Sequence, residues 1–124
     1  MKKYVLTGMS GAGKSCLITA LELRNEYVVR EAARDYIEYR KASGIAVPSE
    51  EPDFEEKILA LHILRESRIP QNINRVFLDR GKPDHLAFSN YFNWPLPDHL
   101  RKAAEESDYD LIFDVINFVG IKSI

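Results

Sequence analysis

Cysteine is almost absent from this chain of 124 residues, which contains only Cys16. A lone cysteine excludes an internal disulfide and fits a reducing compartment, so we expect a cytoplasmic protein. Charges interrupt every apolar run well before the roughly 20 residues of a membrane-spanning helix, so no membrane partner is expected. The formal net charge is only −2. Since no basic stripe or tail stands out, nucleic acid is not an expected partner either.

Glycine, by contrast, is concentrated in one segment. Residues 8–15 read GMSGAGKS and match the phosphate-binding loop pattern G-x-x-x-x-G-K-[ST] at every required position. Glycines let backbone N–H groups approach phosphate oxygens and allow positive φ angles. The apolar residues 4–7 predict a buried strand before the loop, and residues 16–23 predict a helix after it. The N-terminus of that helix favours an anion, so we predict a site for nucleotide phosphates.

Each part of this loop has an expected role. Lys14 supplies charge to the β- and γ-phosphates and is a candidate catalytic residue, while the Ser15 hydroxyl is a candidate Mg²⁺ ligand. We interpret Cys16 as a small packing residue on a buried helix rather than a nucleophile. The complete set of expected nucleotide-contacting residues is Gly8, Ser10, Gly11, Ala12, Gly13, Lys14, Ser15 and Cys16.

Strand and helix patterns alternate along the rest of the chain. After the first helix, the order is a strand over 26–29, helices over 31–41 and 53–68, a strand over 76–79, helices over 84–91 and 98–106, and a strand over 111–113. We expect Asp53, Asp84 and Asp98 to cap the last three of these helices. The alternation predicts one α/β domain over 1–124 with a mostly parallel sheet. Ligands of such sheets gather at the carboxyl ends of the strands.

Charged residues follow several of the predicted strands. Asp79 is the best candidate for a Mg²⁺ carboxylate or a base, and Asp114 competes with it for the metal role. Glu31 could orient an attacking hydroxyl or water and accept its proton, or it could only favour the start of a helix electrostatically. Arg80 could contact phosphate or an acidic acceptor, and the alternative is an exposed side chain. Arg34, one helical turn after Glu31, could bind the acceptor or phosphate.

The three histidines, His62, His85 and His99, are scattered along the chain. None has a second ligand at a spacing typical of metal sites, so we predict no zinc site.

Four segments carry a resemblance to a known family. They are residues 8–15 (GMSGAGKS), 28–44 (VVREAARDYIEYRKASG), 76–92 (VFLDRGKPDHLAFSNYF) and 109–113 (YDLIF). The chain resembles the small AAA-type P-loop domains related to nicotinamide riboside kinase and to the TRPL translocation defect protein. This resemblance implies a P-loop NTPase three-layer sandwich with sheet order 2-3-1-4, usually with a fifth strand, that binds ATP or GTP with Mg²⁺. It also implies that Lys14 and Ser15 serve phosphates and metal, that Glu31 lies near the acceptor, and that Asp79 and Arg80 form the motif after strand three.

The chain departs from the family pattern at its C-terminal end. Relatives continue past strand four with an arginine-bearing lid, further helices and a last strand, whereas no arginine follows Arg101 here. We therefore expect the fifth strand to be missing, the domain to be incomplete at its C-terminus, and turnover to be affected more than nucleotide binding.

The sequence thus favours a protein that binds Mg-ATP and acts as a kinase-like phosphotransferase on a small nucleoside-like or phosphorylated acceptor. One alternative is a hydrolytic ATPase in which Glu31 or Asp79 orients water. Another is a non-catalytic nucleotide-binding regulatory module. The choice between ATP and GTP, the acceptor and the oligomeric state are left open by the sequence.

Overall fold

Strands and helices alternate along residues 1–8 and 13–115, the part of the chain that the computed structural model describes. In order, these elements are β1 (Lys2–Thr7), α1 (Lys14–Leu23), β2 (Tyr27–Val29), α2 (Ala32–Ala42), α3 (Phe54–Ser67), β3 (Arg75–Asp79), α4 (Lys82–Phe92), α5 (Asp98–Glu105) and β4 (Leu111–Asp114). A short 3₁₀ turn, Pro48–Glu50, precedes α3. The predicted α/β fold is confirmed. Ser10, Gly11 and Ala12 lie outside the described residues.

The four strands of the described residues form one parallel sheet in the order β2-β3-β1-β4. This is the order that the family resemblance implies. The central strand β1 pairs Leu6 with Asp79 of β3 and Thr7 with Asp114 of β4. Because the strands are parallel, both carboxylates lie at the same end of the sheet, where the loop after β1 begins.

The chain divides into two compact units. We call the first the sheet unit; it comprises Met1–Arg30, Pro70–Gly81 and the described residues from 108 onward. Its helix α1 packs on β2 and β3. Ile18 of that helix and Val76 and Leu78 of β3 are fully buried, so apolar packing fixes the helix on the strands.

The second unit, which we call the helical unit, comprises Glu31–Ile69 and Lys82–Ser107. Ala32, Phe54 and Ile58 form its buried apolar cluster, with Tyr36 and Trp94 packed around them. The Phe54 and Trp94 rings meet edge to face with centroids 5.2 Å apart, a favoured aromatic geometry. This cluster joins α2, α3 and the segment after α4.

A polar chain of four buried side chains also links α3 to α4. His85 Nε2 lies 3.2 Å from His62 Nδ1. The outer nitrogens of the two rings lie 2.8 Å from a Glu55 oxygen and 2.6 Å from a Glu66 oxygen, respectively. The sequence suggests scattered histidines, but the fold brings two of them into contact. These groups form a chain instead of converging on one point, and within 1–8 and 13–115 no cluster of three or more such side chains is arranged to hold a metal.

Three details of the helices differ from the sequence-based predictions. Helix α4 begins at Lys82, so Asp84 lies within its first turn and does not cap it. Pro83 suits that first turn because an N–H there needs no partner within the helix. Asp98 is the first residue of α5, with Pro97 at the cap position. Asp53 does occupy the cap position of α3, but its side chain makes no capping hydrogen bond.

The interpretation of Cys16 as a packing residue is wrong, because the structure leaves this side chain exposed. Helix α1 buries Lys14 and Ile18, which lie one turn apart on one face. Cys16 lies between them in sequence and therefore falls on a different face. Among the described residues, every helix is too short or too polar to span a lipid bilayer.

The first prediction concerns Glu26 and Arg75, which connect the starts of β2 and β3. Arg75 Nε donates to Glu26 Oε1 at 2.7 Å, and this hydrogen bond holds the Glu26 pKa below its ordinary value of 4.5. Arg75→Gln should raise that pKa toward 4.5. Because folding lowers the pKa, the pair stabilises the fold at higher pH, and this contribution is lost as the pH falls through the lowered folded-state value.

An NMR titration of the Glu26 carboxyl carbon measures this change. Arg68→Gln, at an exposed arginine in the helical unit, is the control and should leave the titration unaltered. Identical Glu26 pKa values in wild type and Arg75→Gln would show that the guanidinium does not hold the carboxylate in solution.

Candidate functional site

The first glycine of the loop lies directly after β1. Gly8 has φ +151°, and a Cβ atom there would lie 2.6 Å from the carbonyl oxygen of Val115. Val115 is held close because its backbone N–H donates to the Thr7 carbonyl at 2.7 Å. The backbone at Val115 therefore requires a glycine at position 8, in addition to any requirement from a ligand.

Gly13 occupies the cap position of α1 with φ 91° and ψ 11°, in the left-handed region. Its carbonyl accepts the backbone N–H of Leu17 at 3.1 Å, which starts the helical hydrogen-bond pattern. A glycine cap brings no side chain that could occupy the first-turn N–H groups. The positive end of the α1 dipole therefore faces this part of the loop and favours an anion.

Lys14 and Asp79 form a buried ion pair between the start of α1 and the end of β3. Their side chains are only 8% and 10% exposed. An isolated charge that is buried in a protein costs several kcal/mol of free energy, and a close opposite charge offsets about that amount. The two buried charges are therefore required to pair. The structure thus brings together two residues that the sequence singles out in separate segments.

Asp114, the alternative metal carboxylate, has a different environment. It ends β4 beside Thr7 but is exposed to solvent. The carboxylate that contacts the loop lysine is therefore that of Asp79.

Arg80 contacts the other end of the described loop. Its Nη2 donates to the Gly8 carbonyl at 2.9 Å, and its backbone N–H donates to the Leu6 carbonyl at 2.8 Å. The residue is half-buried, so the alternative of an exposed surface arginine is wrong. A contact with the protein backbone is also a role that the sequence does not predict for this residue.

Ser15 lies exposed in the first turn of α1, where its carbonyl accepts the Thr19 hydroxyl at 3.0 Å. Its role as a Mg²⁺ ligand stays a prediction. Glu31 occupies the cap position of α2, and Arg34 is the third residue of that helix, with its side chain 64% exposed. Both belong to the helical unit, and their roles toward an acceptor also stay predictions.

A family model described as an AAA domain matches residues 3–116, which is nearly the whole chain. The chain belongs to this family. The resemblance to small AAA-type P-loop domains that the sequence carries is thereby confirmed. No curated protein gives a significant match to this AAA domain.

A solved structure shares the fold of this AAA domain. The crystal structure of NadR protein in complex with NR superposes with a TM-score of 0.68 at 23% sequence identity. The match covers 91% of this chain but 33% of the NadR chain, so the AAA domain spans about a third of that protein's length. At this identity the likeness shows the fold alone. The family match identifies a P-loop domain of the nucleotide-binding type.

The second prediction tests the ion pair. Asp79→Asn removes the carboxylate and breaks the buried ion pair with Lys14, so unfolding should require about 3–5 kcal/mol less free energy. Asp114→Asn is the matched control, because Asp114 ends β4, on the other side of β1, in an exposed position. This control should change the free energy by about 0.5 kcal/mol at most. Urea unfolding measures both values, and equal stabilities of the two variants would contradict a buried pair.

Proposed function

We propose that this AAA domain binds Mg-ATP in the cytoplasm and transfers the γ-phosphoryl group to a small nucleoside-like or phosphorylated acceptor. The observation that carries the proposal is the buried Lys14 ammonium at the positive end of α1. The charge of the ammonium and the positive end of the helix dipole coincide there, and both attract the negative charges of a polyphosphate.

The pairing of Lys14 with Asp79 supports this assignment energetically. When phosphate oxygens reach Lys14, the ammonium can exchange one anionic partner for another, so no buried charge is left uncompensated. The Asp79 carboxylate, already at the carboxyl end of β3, then becomes available to a cation.

The residues present fit a Mg²⁺ ion chemically. Asp79 offers carboxylate oxygens and Ser15 a hydroxyl, and Mg²⁺ prefers oxygen ligands of this kind beside substrate phosphates. When bound, magnesium neutralises the negative charge of the β- and γ-phosphates. We assign Asp79 and Ser15 to hold it and Lys14 to neutralise the phosphate oxygens directly.

The proposed transfer conserves the phosphoryl group and one proton. The acceptor hydroxyl oxygen forms a bond to the γ-phosphorus while the bond to the β–γ bridging oxygen breaks and ADP leaves. We assign the hydroxyl proton to the carboxylate of Glu31 at the start of α2. Arg34, which follows one turn later, is the proposed contact for the acceptor.

The reaction class is tested by measuring ADP release from ATP, and GDP release from GTP, with and without a panel of nucleosides and their phosphates. NR belongs in this panel because NadR was crystallised with it. Turnover only with an acceptor supports the kinase. Slow turnover without one supports a hydrolytic ATPase, and binding without turnover supports a regulatory nucleotide-binding module.

The third prediction concerns Lys14. Lys14→Ala should weaken Mg-ATP binding by about 1.5–3 kcal/mol for each charge-assisted contact that the ammonium makes with phosphate. Isothermal titration calorimetry measures the affinity, and circular dichroism verifies that the variant is folded at the same temperature. Lys57→Ala, at an exposed lysine of α3, should bind as wild type does. Unchanged affinity in folded Lys14→Ala would refute the nucleotide site.

The fourth prediction concerns Glu31. As the base, Glu31 should affect turnover and not ATP affinity, so Glu31→Gln should reduce the rate by about 10²–10⁴-fold while calorimetry shows nearly unaltered binding. Glu105→Gln, at an exposed position of α5, is the control and should retain the rate. Full turnover by Glu31→Gln with an acceptor that wild type phosphorylates would show that another group takes the proton.

A further inference from the structure

Two consecutive residues at the end of β3 contact the two described ends of the phosphate loop. Asp79 pairs with Lys14 at its C-terminal end. Arg80 donates from its guanidinium to the Gly8 carbonyl at its N-terminal end, at 2.9 Å. Both ends of the loop are therefore tied to the same strand terminus.

The backbone of Arg80 is unusual for an arginine. Its φ is +69°, in the left-handed region that costs a residue with a Cβ atom roughly 1–2 kcal/mol. Glycine adopts this conformation without that cost, and the chain places glycine at 81 but not at 80. An arginine in a strained backbone conformation that glycine would adopt without cost indicates a role for the arginine side chain.

The guanidinium suits the observed contact. It stays charged and presents several donors in a rigid plane, so one donor can be held on a carbonyl oxygen with little loss of freedom. Gly8 supplies the first carbonyl after β1, and a peptide unit is planar. Holding this oxygen therefore fixes the plane in which the chain leaves the strand and enters the loop.

We propose that Arg80 is a positioning residue that holds the entry of the phosphate loop in its binding geometry before nucleotide arrives. The inference rests on the proposed nucleotide-binding function. Arg80 acts through Gly8, without needing to touch the nucleotide. The contact raises nucleotide affinity by preorganisation, since ordering a loop at the moment of binding lowers affinity.

Three substitutions separate this role from a purely structural one. Arg80→Ala removes the guanidinium and keeps the backbone strain, Arg80→Gly removes both, and Arg80→Lys keeps a charged donor. By calorimetry, Arg80→Ala and Arg80→Gly should bind Mg-ATP roughly ten- to hundredfold more weakly, the range expected for a lost charged hydrogen bond. Arg80→Lys should recover most of the affinity. Arg80→Gly should melt at a higher temperature than Arg80→Ala.

Asn25→Gly is the matched control, because Asn25 also has a left-handed backbone, with φ 63°, but lies at the end of α1. Relief of strain there should leave ATP affinity at the wild-type value. A second readout needs no nucleotide: the ¹³C resonance of the Gly8 carbonyl should shift in Arg80→Ala and return toward the wild-type position in Arg80→Lys.

The outcomes distinguish this inference from the proposed function. If wild type binds ATP and Arg80→Gly binds it equally well, the positioning role is wrong and the nucleotide site stands. The same conclusion follows if the Gly8 carbonyl resonance does not shift in Arg80→Ala. If wild type binds ATP no better than Lys14→Ala does, the proposed function fails and the inference fails with it.

Discussion

A buried ammonium must have a partner, and this requirement on Lys14 organises the end of the sheet. Asp79 can meet it only because β3 runs parallel to β1 in a register that puts its last residue beside Leu6. Helix α1 must also begin at Lys14, which the left-handed Gly13 allows. A shift of β3 by one residue would turn the carboxylate to the other face of the sheet and leave two buried charges apart.

The sequence predicts most of the local structure here, because short-range rules determine it. An apolar run, a glycine pattern and a helix follow one another over residues 4–23, and β1 and α1 form where these signals place them. Asp79 is recognisable because a carboxylate at the end of an apolar strand rarely has a packing role. The strand order, in contrast, comes from the family resemblance, since nothing in the spacing of the strands specifies which one lies at the centre.

Contacts between distant segments decide what the sequence does not predict. The sequence favours Asp79 over Asp114, but the burial that distinguishes the two residues depends on the fold, because both follow similar apolar runs. The exposure of Cys16 depends on which face of α1 packs on the sheet. Because apolar residues lie around most of that helix, hydrophobic periodicity does not indicate which face is buried. The contact of Arg80 with Gly8 joins residues 72 positions apart and depends on a left-handed backbone that arginine rarely adopts.

The histidine chain between α3 and α4 makes the attachment of these helices depend on imidazole itself. Each of its three contacts, from Glu55 through His85 and His62 to Glu66, joins two groups that can share a hydrogen. An imidazole ring has a nitrogen on each side, so one side chain can contact two polar partners at once. The loss of either ring would therefore interrupt the contacts on both of its sides, and an apolar side chain of similar size could restore neither.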